Sequence, residues 1–540
     1  MAFNWENLYL TARTPVFARN VVSTSHPLAA QAGNRVLLEG GNAVDAAIAT
    51  AATLTIVEPV SNGLGSDAFA LVWADGQLHG LNASGPAPAA WDLNYFRQRY
   101  GDNASGHANR PERGWDSVTV PGAIAGWDAL HRRFGKLPFS RLMQSALEIA
   151  ERGVTVAPMV AKKWRAAVPI LAEQPGFADA FMPNGRAPQV GEAFRFSAAA
   201  KTLGILADQG ARAFYEGELA EKIVKWAQKT GGNLTLEDLR RYQPEWVTPV
   251  SQSYRGYEVH EIPPNGQGIA ALIALGILEN FDLASLPLDS VDSQHLQIEA
   301  MKLAFADVYR YVADPTSMEV TPEQMLDPTY LKQRAAQIDI SRASLPVAGI
   351  PRSGGTVYLT TTDESGMMVS FIQSNYMGFG SGVVVPEYGI SLQNRGAGFS
   401  SDPKSANVLA PGKRPFHTII PAFLTQNGQP QMSFGVMGGD MQPQGHVQTV
   451  VRMLDYQQQP QAACDAPRWK VNRDFTLDLE NRFDTDVTQQ LKDRGHQLKS
   501  IYDPYMDFGA GQFIWRLSES PDHGYVAASD SRRDGQALGF

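Results

Sequence analysis

The chain has 540 residues and a mass of 58.8 kDa, with 46 Lys and Arg against 55 Asp and Glu, a formal charge of −9. That mild acidity argues against nucleic acid as a partner. A composition of 44% hydrophobic and 19% charged residues, with 49 Gly and 34 Pro, excludes a disordered or collagen-like chain and describes a turn-rich globular protein. The single cysteine, Cys464, can close no intrachain disulfide and build no CxxC metal site.

In chain order, the opening MAFNWENLYLTARTPVFARN carries Glu6, Arg13 and Arg19. A secretion signal needs an unbroken apolar core of roughly 7–15 residues there, so no export signal is read and the expected address is cytoplasmic. The Gly40-Gly41-Asn42 lead-in supplies a turn and an N-cap for an Ala-rich helix reaching Val57. With Asp45 inside it, that run is too short for about 30 Å of hydrocarbon, so no membrane partner is expected. Asp75-Gly76 between the alternating runs Gly65 to Trp73 and Gln77 to Leu81 signals a hairpin. Residues 122 to 245 read as mainly helical, with amphipathic stretches Gly126 to Phe134, Ser140 to Ala150 and Glu218 to Thr230. Helices are expected to continue past Tyr254-Arg255-Gly256-Tyr257, through Gly268 to Phe281 and Ser293 to Val312. The Pro/Gly-rich Leu345 to Gly355 reads as an exposed linker, and beyond it strands dominate: Thr356 to Thr362, Met367 to Ser374, Ile419 to Leu424, Gln431 to Phe434 and Gln512 to Leu517, with one helix from Asp486 to Arg494. The pattern implies helices flanking an antiparallel sheet built from both ends of the chain.

Several motifs are excluded by context. Gly63-Leu64-Gly65-Ser66-Asp67-Ala68 fits G-x-G-x-x-A, but its glycines open a strand-like run instead of a helix, so no dinucleotide cofactor is expected. The ten histidines show no HxH or HExxH spacing and no GxSxG elbow occurs, so neither a metal nor a serine hydrolase site is expected. More informative is Thr356, a hydroxyl nucleophile candidate placed directly after Gly354-Gly355 at the head of a strand. Two glycine-rich turns accompany it: Gly435 to Asp440, whose backbone N–H groups suit an oxyanion hole, and Ser374-Asn375-Tyr376 running into Gly378 to Gly382.

With GGNAVDAA at 40–47, VEP at 57–59, YRGY at 254–257, PP at 263–264, GG-T at 354–356, FGSG at 379–382, KRP at 413–415, GG at 438–439 and APRW at 466–469, nearly the whole chain resembles the γ-glutamyltransferase family of N-terminal-nucleophile (Ntn) hydrolases. The resemblance implies an α+β fold, a four-layer αββα sandwich with two antiparallel sheets between helical layers. It implies a proenzyme that cuts itself between Gly355 and Thr356 into a large segment, 1–355, and a small segment, 356–540, which stay together as a heterodimer in one globular unit. Higher oligomers are compatible with it. It makes Thr356 the nucleophile with its freed α-amine as base, Ser374 its hydrogen-bond partner, and Gly438 and Gly439 the oxyanion donors, with no cofactor and no metal.

The chain departs from the glutamyl-specific members of that family. Their Arg belongs near Asn82 to Pro86, where no basic residue stands, and their loop acid before Phe399-Ser400 is replaced by a run containing Arg395. A Ser-Ser pair is matched by His417-Thr418, and a substrate-binding Asn by Tyr376 with Asn375 adjacent. Arg395, Asn375, Tyr376, His417 and Thr418 are therefore the expected substrate-binding set. Arg395 favours a small amide that carries a carboxylate and no amine, because a guanidinium can hold a carboxylate bidentately. That points to the cephalosporin-acylase-like and oxamate-hydrolysing branch, where oxamate of purine breakdown would give oxalate and ammonia. The alternatives are a γ-glutamyl hydrolase or transferase, a side-chain acylase, or an inactive scaffold.

Overall fold

The computed structural model describes residues 13–346, 355–502, 508–518, 520 and 523–540. The reading of residues 1–12 as lacking an export signal, and most of the linker reading for Leu345 to Gly355, lie outside the described residues. Among the described residues, no helix is long and apolar enough to cross a membrane.

The architecture is α+β, with two seven-stranded antiparallel sheets. One runs, edge to edge, Gln536–Gly539, Val21–Thr24, Gly355–Thr362, Met368–Tyr376, Asp67–Ala74, Gln77–Ala83 and Glu245–Val247. The other runs Val16–Ala18, Tyr525–Ser529, Ala510–Arg516, Gln429–Met437, Ala422–Gln426, Tyr257–Glu261 and Val250–Tyr254. Each sheet therefore interleaves strands from before and after residue 355. Their inner faces meet in a core that includes Phe69, Leu71, Ile372, Phe423, Met437 and Ile514. Polar bridges cross it: Ser370 Oγ donates to the Phe434 carbonyl at 3.2 Å, and Ser23 Oγ to Gln512 Oε1 at 2.6 Å. Helices cover both outer faces. Ala43–Val57 and its neighbours pack on the first sheet, and Ile269–Leu278, Val291–Tyr311 and Met441–Leu454 on the second, giving four layers.

Local chemistry explains the elements that frame the site. Ala43–Val57 is buried along its whole length, and only small side chains let a helix approach its neighbours on every side. It starts at a capping box, in which Asn42 Oδ1 accepts the Asp45 N–H at 2.9 Å and Asp45 Oδ2 accepts the Asn42 N–H at 3.2 Å. Asp75 and Gly76 both take positive φ, 52° and 74°, as the two-residue hairpin turn requires. The expected helices and late strands appear within a few residues of their expected bounds, except that Ile419 to Leu424 begins pairing only at Ala422.

One expectation is corrected. The region around Tyr254 to Tyr257 is no continuation of helices but a hairpin, Val250–Tyr254 with Tyr257–Glu261, turning at Arg255 (φ 51°) and Gly256 (φ 80°). Its alternation is blurred because it forms a sheet edge, where Gln252 and Ser253 need not alternate with apolar residues.

Asn42→Ala removes the cap of a helix buried along its whole length, and also the bond from Asn42 Nδ2 to the Phe134 carbonyl at 2.6 Å. It is expected to lower the unfolding free energy by about 1–2 kcal/mol, seen as a drop in the thermal midpoint.

Candidate active site

Strand pairing brings the first group together. Thr356 stands at a bulge between Gly355 and Val357 of the strand that pairs with Met368–Tyr376, and its side chain is 2% exposed. Thr356 Oγ1 donates to Ser374 Oγ at 3.2 Å, and the Tyr376 N–H donates to the same oxygen at 2.7 Å. From the other sheet's helical layer, Gln442 Nε2 donates to Thr356 Oγ1 at 3.4 Å, while Gln442 Oε1 accepts the Ile420 N–H at 3.0 Å. The hydroxyl is thus held on two sides by groups that are themselves held.

Gly438 and Gly439 lie where the Gln429–Met437 strand turns into the helix Met441–Leu454. Their φ values of 131° and 62° suit glycine, and a Cβ on Gly438 would come within 2.9 Å of Gly509 Cα. The Gly438 carbonyl accepts the Met441 N–H at 3.1 Å and so points into the helix. The trans peptide then turns the Gly439 N–H away from the helix. The Gly439 carbonyl is taken by Gln267 Nε2 at 2.8 Å, which also donates to the Thr418 carbonyl at 2.7 Å, so one amide ties the turn to Thr418.

The second group is charged. Arg395 is buried, its guanidinium lies over the Tyr376 ring at 4.7 Å, and Nη1 donates to Thr418 Oγ1 at 2.8 Å. Nε and Nη2, the two groups along one edge of the guanidinium, are buried without a hydrogen-bond partner among the described residues. Burial lowers Arg395 to about 10, while the field of Asp67 opposes that fall. His417 Nε2 lies 3.2 Å from Asp67 Oδ2, both groups fully buried. Burial, reinforced by Arg395, pushes His417 well below the ordinary histidine range, so this contact joins a neutral ring to a carboxyl group and is no ion pair. Tyr376 itself has a left-handed backbone (φ 78°), uncommon for a bulky residue and a source of local strain.

The gamma-glutamyltranspeptidase profile matches residues 29–540. The chain belongs to that family. It superposes on a cephalosporin acylase from Bacillus halodurans with a TM-score of 0.94 at 48% identity, covering 100% of this chain and 99% of that one. It is 37% identical over 539 residues to the glutathione hydrolase-like YwrD proenzyme of Bacillus subtilis, covering 98% of this chain and all of that one. To the oxamate amidohydrolase proenzyme of Klebsiella pneumoniae it is 35% identical over 529 residues, covering 95% and 97%. The sandwich is the Ntn fold of this family, and membership makes the chain a self-processing amidohydrolase.

Of the residues expected from sequence, Thr356, Ser374, Tyr376, Arg395 and Thr418 are joined by the direct contacts above, and His417 meets Asp67. Asn375 is tied into the scaffold: Ser66 Oγ donates to its Oδ1 at 2.8 Å and its Nδ2 reaches Ser391 Oγ at 3.5 Å. Sequence reading passes over Gln442, Gln267 and Asp67, and over Arg473, which pairs with Asp440 just after the glycine turn. It also misses a brace built by residues 110–113. Arg110 donates to the Gly396 carbonyl at 2.7 Å, to the Phe399 carbonyl and to Ser401 Oγ at 2.8 Å; the Glu112 carbonyl accepts from Asn394 Nδ2 at 2.9 Å; Arg113 donates to the Gly378 carbonyl at 2.9 Å and to that of Gly380. One short segment holds both loops that flank Thr356.

Arg110→Ala is expected to leave the sheets assembled while loosening the Arg395 loop. Trypsin should then cut at the exposed Lys404 at least about tenfold faster than in the unaltered protein. An unchanged rate would mean the loop is held without Arg110.

Proposed function

We propose that the chain cleaves itself before Thr356 and that the new N-terminal threonine hydrolyses a small, carboxylate-bearing amide through an acyl-enzyme, with oxamate as the type substrate. In the proenzyme the Thr356 hydroxyl attacks the Gly355 carbonyl, the peptide bond shifts to an ester, and water hydrolyses that ester to free the α-amine. An α-amine of ordinary pKa, about 7.7–8.0, serves as base for its own hydroxyl near neutral pH. The hydroxyl then attacks the substrate amide carbon and the tetrahedral oxygen is stabilised by the Gly438 and Gly439 N–H groups. The amine returns the proton to the departing nitrogen, ammonia leaves, and water releases the acid. Oxamate and water give oxalate and ammonia.

The observation that carries the substrate class is the free edge of Arg395. Two parallel N–H groups buried without partners among the described residues are expensive to leave so, and a carboxylate matches both at once. The interleaved sheets support the rest, because a cut at 355 leaves each piece holding strands that only the other completes. A second reading is favoured by the resemblance to the YwrD proenzyme and by a cavity of about 820 Å³ lined by Arg110, Tyr309, Phe399 and Phe416, roomy enough for a peptide-like leaving group. In it the substrate is a γ-glutamyl compound.

Intact mass spectrometry after incubation at neutral pH should give a fragment of 185 residues, about 20 of the 58.8 kDa, beginning at Thr356, and Thr356→Ala should stay a single chain. If Thr356→Ala is still cut and active, the nucleophile is elsewhere.

The processed enzyme should release ammonia from oxamate, and Arg395→Gln should raise KM by about 100-fold with a smaller change in kcat. Cleavage of a γ-glutamyl anilide with none of oxamate would reject the oxamate reading in favour of the second.

A further inference from the structure

Asp67 has no part in the reaction as written, yet its place is specific. It is the register partner of Ser374 on the adjacent strand. Residues directly opposite in an antiparallel pair project from the same sheet face, so its carboxyl group shares the face that carries Thr356. Its Oδ1 accepts the Gly122 N–H at 3.1 Å, and the Gly85 N–H also bonds the carboxyl group. The Ile419 N–H donates to His417 Nδ1 at 3.4 Å, so the one proton of the neutral ring belongs on Nε2, facing Asp67 Oδ2. The other charged or titratable groups that act on Asp67 or feel it are Arg395, Arg414, Tyr215 and Tyr242. Arg414 is paired with Glu245 at 2.8 Å, and both phenols stay protonated because burial raises them. Arg395 and Asp67 are therefore left as mutual counter-charges with no ion pair between them.

We propose that Asp67, together with His417, is the specificity-determining counter-charge of Arg395, so that the site admits a substrate carboxylate only together with one proton. This rests on Arg395 as the carboxylate anchor. Charge accounting gives the reason. With Arg395 charged and Asp67 ionised the pocket is neutral; an incoming carboxylate makes it negative where no water screens the repulsion. A proton taken up by the Asp67–His417 pair restores neutrality. Burial, against the field of Arg395, pushes the Asp67 carboxyl up to about 7, so that proton is available near neutral pH. The carboxyl is protonated below that value and ionised above it, so monoanions bind best below about 7 and progressively less well above. A dianion brings a second negative charge that one proton does not offset, which favours loss of a dicarboxylate product over retention.

The test uses the processed enzyme and pyruvate, a monoanion with the shape of oxamate and a methyl group in place of its NH2. Affinity is measured by calorimetry from pH 6 to pH 9, in buffers of different ionisation enthalpy to count protons. The unaltered enzyme should lose about tenfold in affinity per pH unit above 7. At pH 8 it should take up close to one proton more than Asp67→Asn, which should bind there as tightly as the unaltered enzyme does at pH 6. Arg395→Gln should lose about 100-fold at pH 6, and what pH dependence remains should move to higher pH, because the charge that holds Asp67 down is gone. Should Asp67→Asn fail to process, His417→Leu decides. Removing the donor that favours the ionised carboxyl group should move the midpoint of the pH dependence upward, and an unmoved midpoint overturns the proposal. Asp67→Asn with the full pH slope and proton uptake, beside a weakened Arg395→Gln, overturns the role of Asp67 alone. Arg395→Gln that binds normally overturns the anchor itself.

Discussion

The backbone pairing of strand 355–362 between Val21–Thr24 and Met368–Tyr376 fixes where Thr356 stands, and the geometry of the site is referenced to it. A terminal residue would ordinarily fray. Here the strand that Thr356 heads runs into the middle of a seven-stranded sheet, with Ser374 beside Thr356 and the Val21–Thr24 strand pairing from Leu359 onward. The bulge between Gly355 and Val357 lets the Thr356 side chain turn to the face that carries Ser374 without disturbing the pairing beyond it. Proposed cleavage at this position removes one covalent bond and leaves the pairing of Val357 to Thr362 in place.

Around that anchor, precision is obtained by holding the holders. Gln442 is fixed by the Ile420 N–H, Gln267 spans the Gly439 and Thr418 carbonyls, and residues 110–113 clasp the two flanking loops. These bonds are mostly from side chains to backbone carbonyls, so they fix loop shape whatever side chains the loops carry. That division suits a family whose members share one scaffold and differ in substrate. The brace sets where residue 395 sits, and the identity of residue 395 sets what charge it presents.

The elements dictated by local chemistry were legible in the sequence. The Asn42 cap, the Asp75-Gly76 turn and the strand headed by Thr356 each depend on neighbours a few residues away, and their local signals agree with the fold. The hairpin at Tyr254 to Tyr257 was not legible, because its edge strand carries Ser251, Gln252 and Ser253 in a row and so shows no strict alternation. Gln442, Gln267 and Asp67 reach the site only through tertiary approach, from a helix, a loop and a strand remote in sequence, and no spacing announces that. Asp67 lay within a glycine-rich run that drew attention for a different chemistry. The strand that excluded nucleotide binding there is the strand that places Asp67 opposite Ser374.

The same burial bears on which charge a substrate can carry. A zwitterionic acyl group needs a carboxylate free to receive its ammonium, close to the anion anchor. Asp440 is committed to Arg473, and Asp67 is surrounded by the N–H groups of Gly85 and Gly122 and by the His417 ring. To serve an ammonium, Asp67 would have to give up donors it already accepts; the Gly122 N–H would keep the Ser66 carbonyl at 3.0 Å, whereas a Gly85 or His417 donor left unpaired costs about 1–3 kcal/mol. An anionic acyl group asks for no such exchange, since the Arg395 edge has no partner among the described residues. On these energetics the proposed acyl group, a carboxylate without an amine, asks less of this interior than a zwitterion would.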